Sequence, residues 1–309
     1  MGYDTLACFI ACLCFSVAAW LCLAVRAYVR IHLLGGPFLD DILALIGTVI
    51  FTPLAALFMI NSWHHEDGKS TIEEQMTGVK LGFSMDILYL LGTFVMKLSF
   101  ARTLSRIVQT RAQSIVLYVT MVVGAVITIA AIIQSFLYCQ PLAYFWKQMV
   151  ESGGSNHCHA YWTRITATLF HAAWVVIADV VLGLLIPSIF LRGCHMNLGT
   201  RLSVHALLGL GSIAGIATVI RMPYVAMGIG ANMSKDSVAA LFWEIAELAI
   251  NIICTSAATW KPLFYNRGRG ESGALEETSR KSPLAGVVGR GWPADSLDRR
   301  FSASDPVIP

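Results

Sequence analysis

The stretch LFWEIAELAINIICTSAATWKPLF, Leu241 to Phe264, is apolar enough to cross a bilayer, yet it carries Glu244 and Glu247 three positions apart. On a helix that spacing puts both carboxyls on one face, one turn apart. A carboxylate in hydrocarbon costs about 2.5 kcal/mol or more even on lenient scales, so such groups pair, line a wet cavity or take part in chemistry. Four more polar groups interrupt apolar runs in the same way: Asp86, His171, Asp179 and Arg221. Two carboxyls in an apolar mould can serve as proton donor and base, enough for a cofactor-free rearrangement. A guanidinium and a carboxylate can equally form a buried pair that pins two helices. Arg221 and Glu247 are the expected pair, as helix pin or ligand site, which leaves Glu244 without an obvious second cation. Asp179 has the fewest purely structural explanations of the set; the structural one is a hydrogen bond to a neighbouring helix through Ser99, Thr93 or another hydroxyl.

The elements that hold these groups follow from composition. The chain has 309 residues, 56% hydrophobic and 13% charged, with mean hydropathy +0.65. Soluble domains carry about 25% charged residues, so a soluble fold is excluded. The charges cluster between apolar runs at about 5–25, 41–60, 82–101, 114–137, 167–191, 204–227 and 239–260. Each run is long enough to span the bilayer core as a helix. Long continuous runs exclude a barrel, whose strands alternate over about ten residues. The first run lacks a basic leader and is followed by Arg26 and Arg30, so it reads as a helix and not as a cleaved signal. The expectation is an all-α, seven-helix bundle over residues 1–265 and a disordered cytoplasmic tail over 266–309, rich in Gly, Ser, Pro and Arg.

Basic residues set the orientation. With the N-terminus outside, the inner segments hold Arg26, Arg30, Arg102, Arg106, Arg111, Arg192, Arg201 and the basic tail. The outer loops hold Lys69, Lys80, Lys147, Arg164 and Lys235. At about 1.5 Å of rise per residue, Asp86 lies roughly 6 Å, Arg221 roughly 9 Å, Glu244 roughly 8 Å and Glu247 roughly 12 Å below the outer ends of their helices. Asp179 falls near the midplane, and Lys97 lies close enough to the inner face to snorkel. A polar cavity opening outward is therefore expected, lined by Asp86, His171, Asp179, Arg221, Glu244 and Glu247.

Cys139 and Cys158 bracket the second outer loop, where a disulfide persists in an oxidising compartment. Asn232-Met233-Ser234, in the last outer loop, is the one glycosylation sequon. Cys8, Cys12, Cys14 and Cys22 read as small packing residues of the first helix, and Cys194 as an inner juxtamembrane cysteine open to palmitoylation. Gly209, Gly211 and Gly215 suit close helix packing, and Pro53 and Pro187 suit kinks. Asp40 and Asp41 suit the start of the second helix, complementing its dipole. Arg102, Arg106 and Arg111 offer a basic inner surface for anionic lipid or a partner. His64, His65, His157 and His159 have no metal-ligand spacing, so no metal is expected.

Several segments together resemble the fungal rhodopsin-like domain family, seven-helix proteins that include membrane proteins of satratoxin-type toxin clusters. The residues that carry the likeness begin with Arg26, Tyr28, Arg30, Gly36 and Asp40-Asp41 in RAYVRIHLLGGPFLDD, then Lys97, Leu98, Ser99 and Arg106 in KLSFARTLSRI. Cys139, Pro141 and Trp146 follow in CQPLAYFW, with Cys158, then Asp179 with Pro187 and Arg221 with Pro223. Trp243, Glu247, Thr259 and Pro262-Leu263-Phe264 complete it. The likeness covers roughly 20–265. Glu244, Ser256, Ala258 and Lys261 depart from the family pattern. No retinal is expected despite the family's name, because its Schiff base needs a lysine deep in the last helix and the first one there is Lys261.

Nothing in the chain matches a hydrolase triad, a phosphate loop or a diphosphate-binding Asp-rich motif, and no feature suggests nucleic acid. Two functions remain. The first is a receptor-like protein that binds a small lipophilic or amphipathic molecule, with intracellular partners at its inner loops and tail, as the family resemblance implies for a secondary-metabolite setting. The second is a cofactor-independent intramembrane cyclase or isomerase acting on a polyketide or isoprenoid intermediate, with Asp179, Glu244 and Glu247 as the catalytic candidates. A transporter or scaffold ranks below both, since no internal repeat is present.

Overall fold

A computed structural model describes residues 5–33, 35–36, 38–64, 72–106, 108, 110–150, 158–186, 213–226 and 233–260. Pro187, Cys194, Gly209, Gly211, Asn232, His65, His157 and the tail from Asn266 lie outside these residues. So do Arg192, Arg201 and Lys261. Contacts divide the chain into one unit of residues 1–264 and a second of 265–309. Within the first unit the described residues form helices and a single isolated β-bridge, between Cys139 and Cys158.

The helices are α1 (Thr5–Tyr28), which widens into a π turn over Val29–Leu33, α2 (Leu39–His64), α3 (Ile72–Ser105) and α4 (Arg111–Leu137). They continue with α5 (Ala143–Val150), α6 (Tyr161–Asp179), which also widens over Val180–Leu185, α7 (Ile213–Ala226) and α8 (Met233–Ala257). Six stretches among the described residues are long and apolar enough to span a membrane, and α7 is a shorter apolar helix. This is a multi-pass integral membrane protein. Its outward surfaces are apolar in helical register: Ile115, Tyr118, Val122, Val126, Ile129 and Ile133 of α4 are all more than half exposed. Spacings of three and four place them on one lipid-facing stripe.

Local signals fix the helix starts. The Asp41 carboxylate accepts the backbone N–H of Phe38 at 2.9 Å, reaching back three residues as in a capping box. Gly35 before it has φ of 82°, which suits a residue without Cβ. At the start of α4 the Thr110 hydroxyl accepts the Gln113 N–H at 3.3 Å. Pro53 lies inside α2, which runs on to His64.

The helix α3 begins ten residues before the expected start at 82. Its first three turns are polar and so leave no hydropathy signal, but Glu73 and Glu74 complement the helix dipole there. The helix is about 51 Å long at 1.5 Å per residue, against a hydrocarbon core of about 30 Å. It packs on α2, α4, α5 and α8, making it the central strut of the bundle. Gly92 marks a close approach to α8: a Cβ there would stand 2.8 Å from Leu248 Cδ2. The apolar core around this crossing includes Phe51, Leu54, Phe58, Met85, Met96, Ile245 and Leu248.

The Cys139–Cys158 disulfide joins the end of α4 to the approach to α6. Tyr138, Cys139 and Phe145 pack under it with Phe83 of α3 and Trp146 of α5. This disulfide end of the bundle and the opposite end, where α1 meets α2, serve as landmarks below.

Candidate functional site

Polar side chains form a column along the interior of the bundle. Nearest the disulfide end, Asp86 of α3 accepts from Arg164 Nη2 of α6 at 2.9 Å, and about a third of each side chain is exposed. The sequence puts Arg164 in an outer loop. The residue opens α6 one turn before the apolar run, which is the only sign of its role.

One turn further along α3 stands Tyr89, only 2% exposed. Its hydroxyl lies 3.0 and 2.9 Å from the two oxygens of Glu247 and accepts from Arg221 Nη2 at 3.1 Å. The Arg221 guanidinium lies over the Tyr89 ring at 4.6 Å, a cation–π contact. Arg221 Nη1 donates to Glu244 Oε1 at 2.6 Å. The expected Arg221–Glu247 pair is thus replaced by Arg221–Glu244, and Glu244 does have a cation. Glu247 stands one turn further along α8, where the Tyr89 hydroxyl and not the guanidinium meets its carboxylate. The sequence signal for Tyr89 is its place three residues beyond Asp86, on the same face.

His171 of α6 is 4% exposed and meets the Tyr89 ring edge-on at 6.4 Å. Two turns deeper, Asp179 forms an ion pair with Lys97 of α3. Lys97 therefore does not snorkel, and Asp179 does not rely on Ser99 or Thr93. Both partners are nearly buried, and a buried carboxylate is met far better by an ammonium than by a hydroxyl. On the other side of Asp179, Gly215 of α7 leaves only 3.6 Å between its would-be Cβ and the Asp179 Cβ, so the two helices nearly touch.

Two small cavities flank His171. The first, about 50 Å³, is lined by Asp86, Tyr89, Arg164, His171 and Arg221 together with Phe83, Tyr138 and Phe145. The second, about 20 Å³, adjoins Thr93, Lys97, Thr120 and Trp174. Of the six residues expected to line one cavity, Asp86, His171 and Arg221 do so. Asp179, Glu244 and Glu247 are absent from its described lining and are held in side-chain contacts behind it.

A second polar cluster lies at the opposite end. Asp40 accepts from Arg26 at 2.8 Å, Arg30 at 2.9 Å and Arg106 at 2.6 Å, and from the Thr103 hydroxyl at 3.2 Å. Asp41 accepts from Arg26 Nε at 2.7 Å, and Arg26 Nη1 donates to the Thr255 carbonyl of α8 at 2.7 Å. Arg106 lies across the Phe38 ring at 3.9 Å. Sequence gave Asp40 and Asp41 a helix-start role, and only Asp41 fills it. Asp40, fully buried, instead gathers three arginines from α1, the π turn and the end of α3, of which Arg106 stays partly exposed.

A family model described as the fungal rhodopsin domain matches residues 25–266, a span that contains both polar clusters and the disulfide. No curated protein and no solved structure matches the chain.

Proposed function

The chain belongs to the fungal rhodopsin domain family, and on that premise we propose that it is a receptor-like integral membrane protein that binds a small amphipathic or lipophilic molecule at the disulfide end. The observation that carries this reading is the first cavity, where an aromatic wall of Phe83, Tyr138 and Phe145 faces the polar groups Asp86, Arg164, His171 and Arg221. Apolar walls with a few convergent polar groups are the usual make-up of a small-molecule site.

At about 50 Å³ the cavity admits a polar head group or a few waters, well short of the 300 Å³ or more that a drug-sized ligand fills. A larger ligand enters by parting Asp86 from Arg164. That pair is a third exposed, and partly solvated pairs cost little to open. In this reading the N-terminus and the disulfide end face outward. The Asp40 cluster and the tail after 265 face the cytoplasm and meet signalling partners there. The ligand belongs to secondary metabolism, as the family likeness suggests.

A second reading draws on the same cavity. If the protein is a cofactor-independent cyclase or isomerase, its acid and base come from Asp86, Tyr89 and His171, because these line the cavity. The test is to delete the gene in its host, extract the lipophilic compounds that accumulate, and incubate them with membranes bearing the wild type or Asp86→Asn at matched expression. Retention of an unaltered compound by wild type alone supports the receptor. Conversion of a compound without added cofactor replaces it with the enzyme reading.

A further inference from the structure

The ion pairs of the interior column do not balance. Among the described residues, Asp86 takes Arg164, Glu244 takes Arg221 and Asp179 takes Lys97. Glu247 is fully buried, no described cation lies within ion-pair distance of it, and its hydrogen-bond partners are neutral hydroxyls, the phenol of Tyr89 and Thr218 of α7. A lone carboxylate in a low-dielectric interior costs several kcal/mol, and such groups are found neutralised.

We infer that Glu247 is a proton-binding site of the bundle, loaded from the disulfide-end cavity through the Tyr89 hydroxyl. The titratable and charged groups nearest to it are Tyr89 and Lys97 from α3, His171 and Asp179 from α6, Arg221 from α7 and Glu244 from its own helix. Of the other helices packed on α8, α1 brings the thiols of Cys8 and Cys12. The titratable groups of α2, Asp40, Asp41 and His64, sit at its ends. None of these supplies Glu247 with a charge of its own, so the remaining neutraliser is a proton, which needs no cavity volume.

Tyr89 supplies the route. It lines the water-sized cavity and its hydroxyl touches Glu247. A hydronium in the cavity gives its proton to the Tyr89 oxygen while the Tyr89 proton passes to Glu247. Water, a neutral phenol and a neutral carboxyl remain. Loss of that proton reverses the hop and leaves a carboxylate one turn from Glu244, competing with it for Arg221. The proton state of Glu247 is thereby linked to which carboxylate of α8 holds α7. This proposal stands without the ligand reading above, since it concerns a group behind the cavity.

The experiment is infrared spectroscopy of the full chain in lipid nanodiscs at neutral pH, following the carbonyl band of protonated carboxyls and its shift in ²H₂O. The expected result is a band that Glu247→Gln removes, that Asp86→Asn leaves in place and that Tyr89→Phe moves in frequency. No such band in the wild type, or a band that survives in folded Glu247→Gln, overturns the proposal. If Glu247→Gln does not fold, the Tyr89→Phe spectrum decides, because an unmoved band there also overturns it. A wild-type band that disappears when sodium replaces choline in the buffer assigns the site to a metal cation and overturns it as well.

Discussion

The Arg221 guanidinium lies 2.6 Å from Glu244 and reaches Glu247 only through the hydroxyl of Tyr89. Two acids one turn apart on α8 thus hold different positions. Glu244 has a full counter-charge, and Glu247 has a phenol.

Substituting the two acids should therefore have unequal effects. Glu244→Gln strands a buried guanidinium and should cost about 3–5 kcal/mol, the usual loss when one partner of a buried pair is removed. Glu247→Gln keeps a hydrogen-bonding group against Tyr89 and should cost about 1 kcal/mol or less. Thermal unfolding in micelles, followed by tryptophan fluorescence, measures both. Equal losses would mean that the two acids share Arg221.

Tyr89→Phe leaves the Glu247 carboxyl and one Arg221 N–H without their shared partner, a loss of about 1–3 kcal/mol. Because one hydroxyl serves both, Tyr89→Phe with Glu247→Gln should lose less than the sum of the single variants. A double-mutant cycle in the same assay reads this directly, and strict additivity would dissolve the network.

At the deeper pair, Asp179→Asn should cost about 3–5 kcal/mol by stranding Lys97. Adding Lys97→Met should recover most of that loss, since an apolar pair replaces a broken ionic one. If Lys97→Met gives no recovery, Asp179 has a role other than meeting Lys97.

The disulfide closes a loop with a sequence separation of 19. Cys158→Ser should cost about 2–4 kcal/mol. A membrane-impermeant reductant on intact cells should expose labelable thiols if the disulfide end faces outward. Labelling only after permeabilisation would place that end inside.

Much of this was legible in the sequence because a membrane filters composition harshly. Apolar runs gave the helices, and Asp86, His171, Asp179, Arg221, Glu244 and Glu247 within them marked the interior column. Pair identities were harder. Rise per residue already put Arg221 level with Glu244, yet family likeness drew attention to Glu247 instead. Tyr89 went unremarked because an aromatic ring in an apolar run carries no charge signal and its hydroxyl matters only once α7 and α8 are in place. Lys97 sat near enough to the boundary to read as snorkelling, and only the facing of α3 towards α6 shows otherwise. The extra turns of α3 were invisible because a helix outside hydrocarbon leaves no hydropathy trace.

The spacing of the ion pairs along the chain sets an order of assembly. Arg26 meets Asp40 only 14 positions later, so the first hairpin neutralises its own arginines as soon as α2 is made. Lys97 waits 82 positions for Asp179, and Tyr89 waits 132 for Arg221. During synthesis α1 and α2 can leave the insertion machinery as a settled pair, whereas α3 stays beside it with a polar face until α6 arrives. A truncated chain ending after α4 would be retained there by Lys97, and one ending after α6 would be the first to let α3 go.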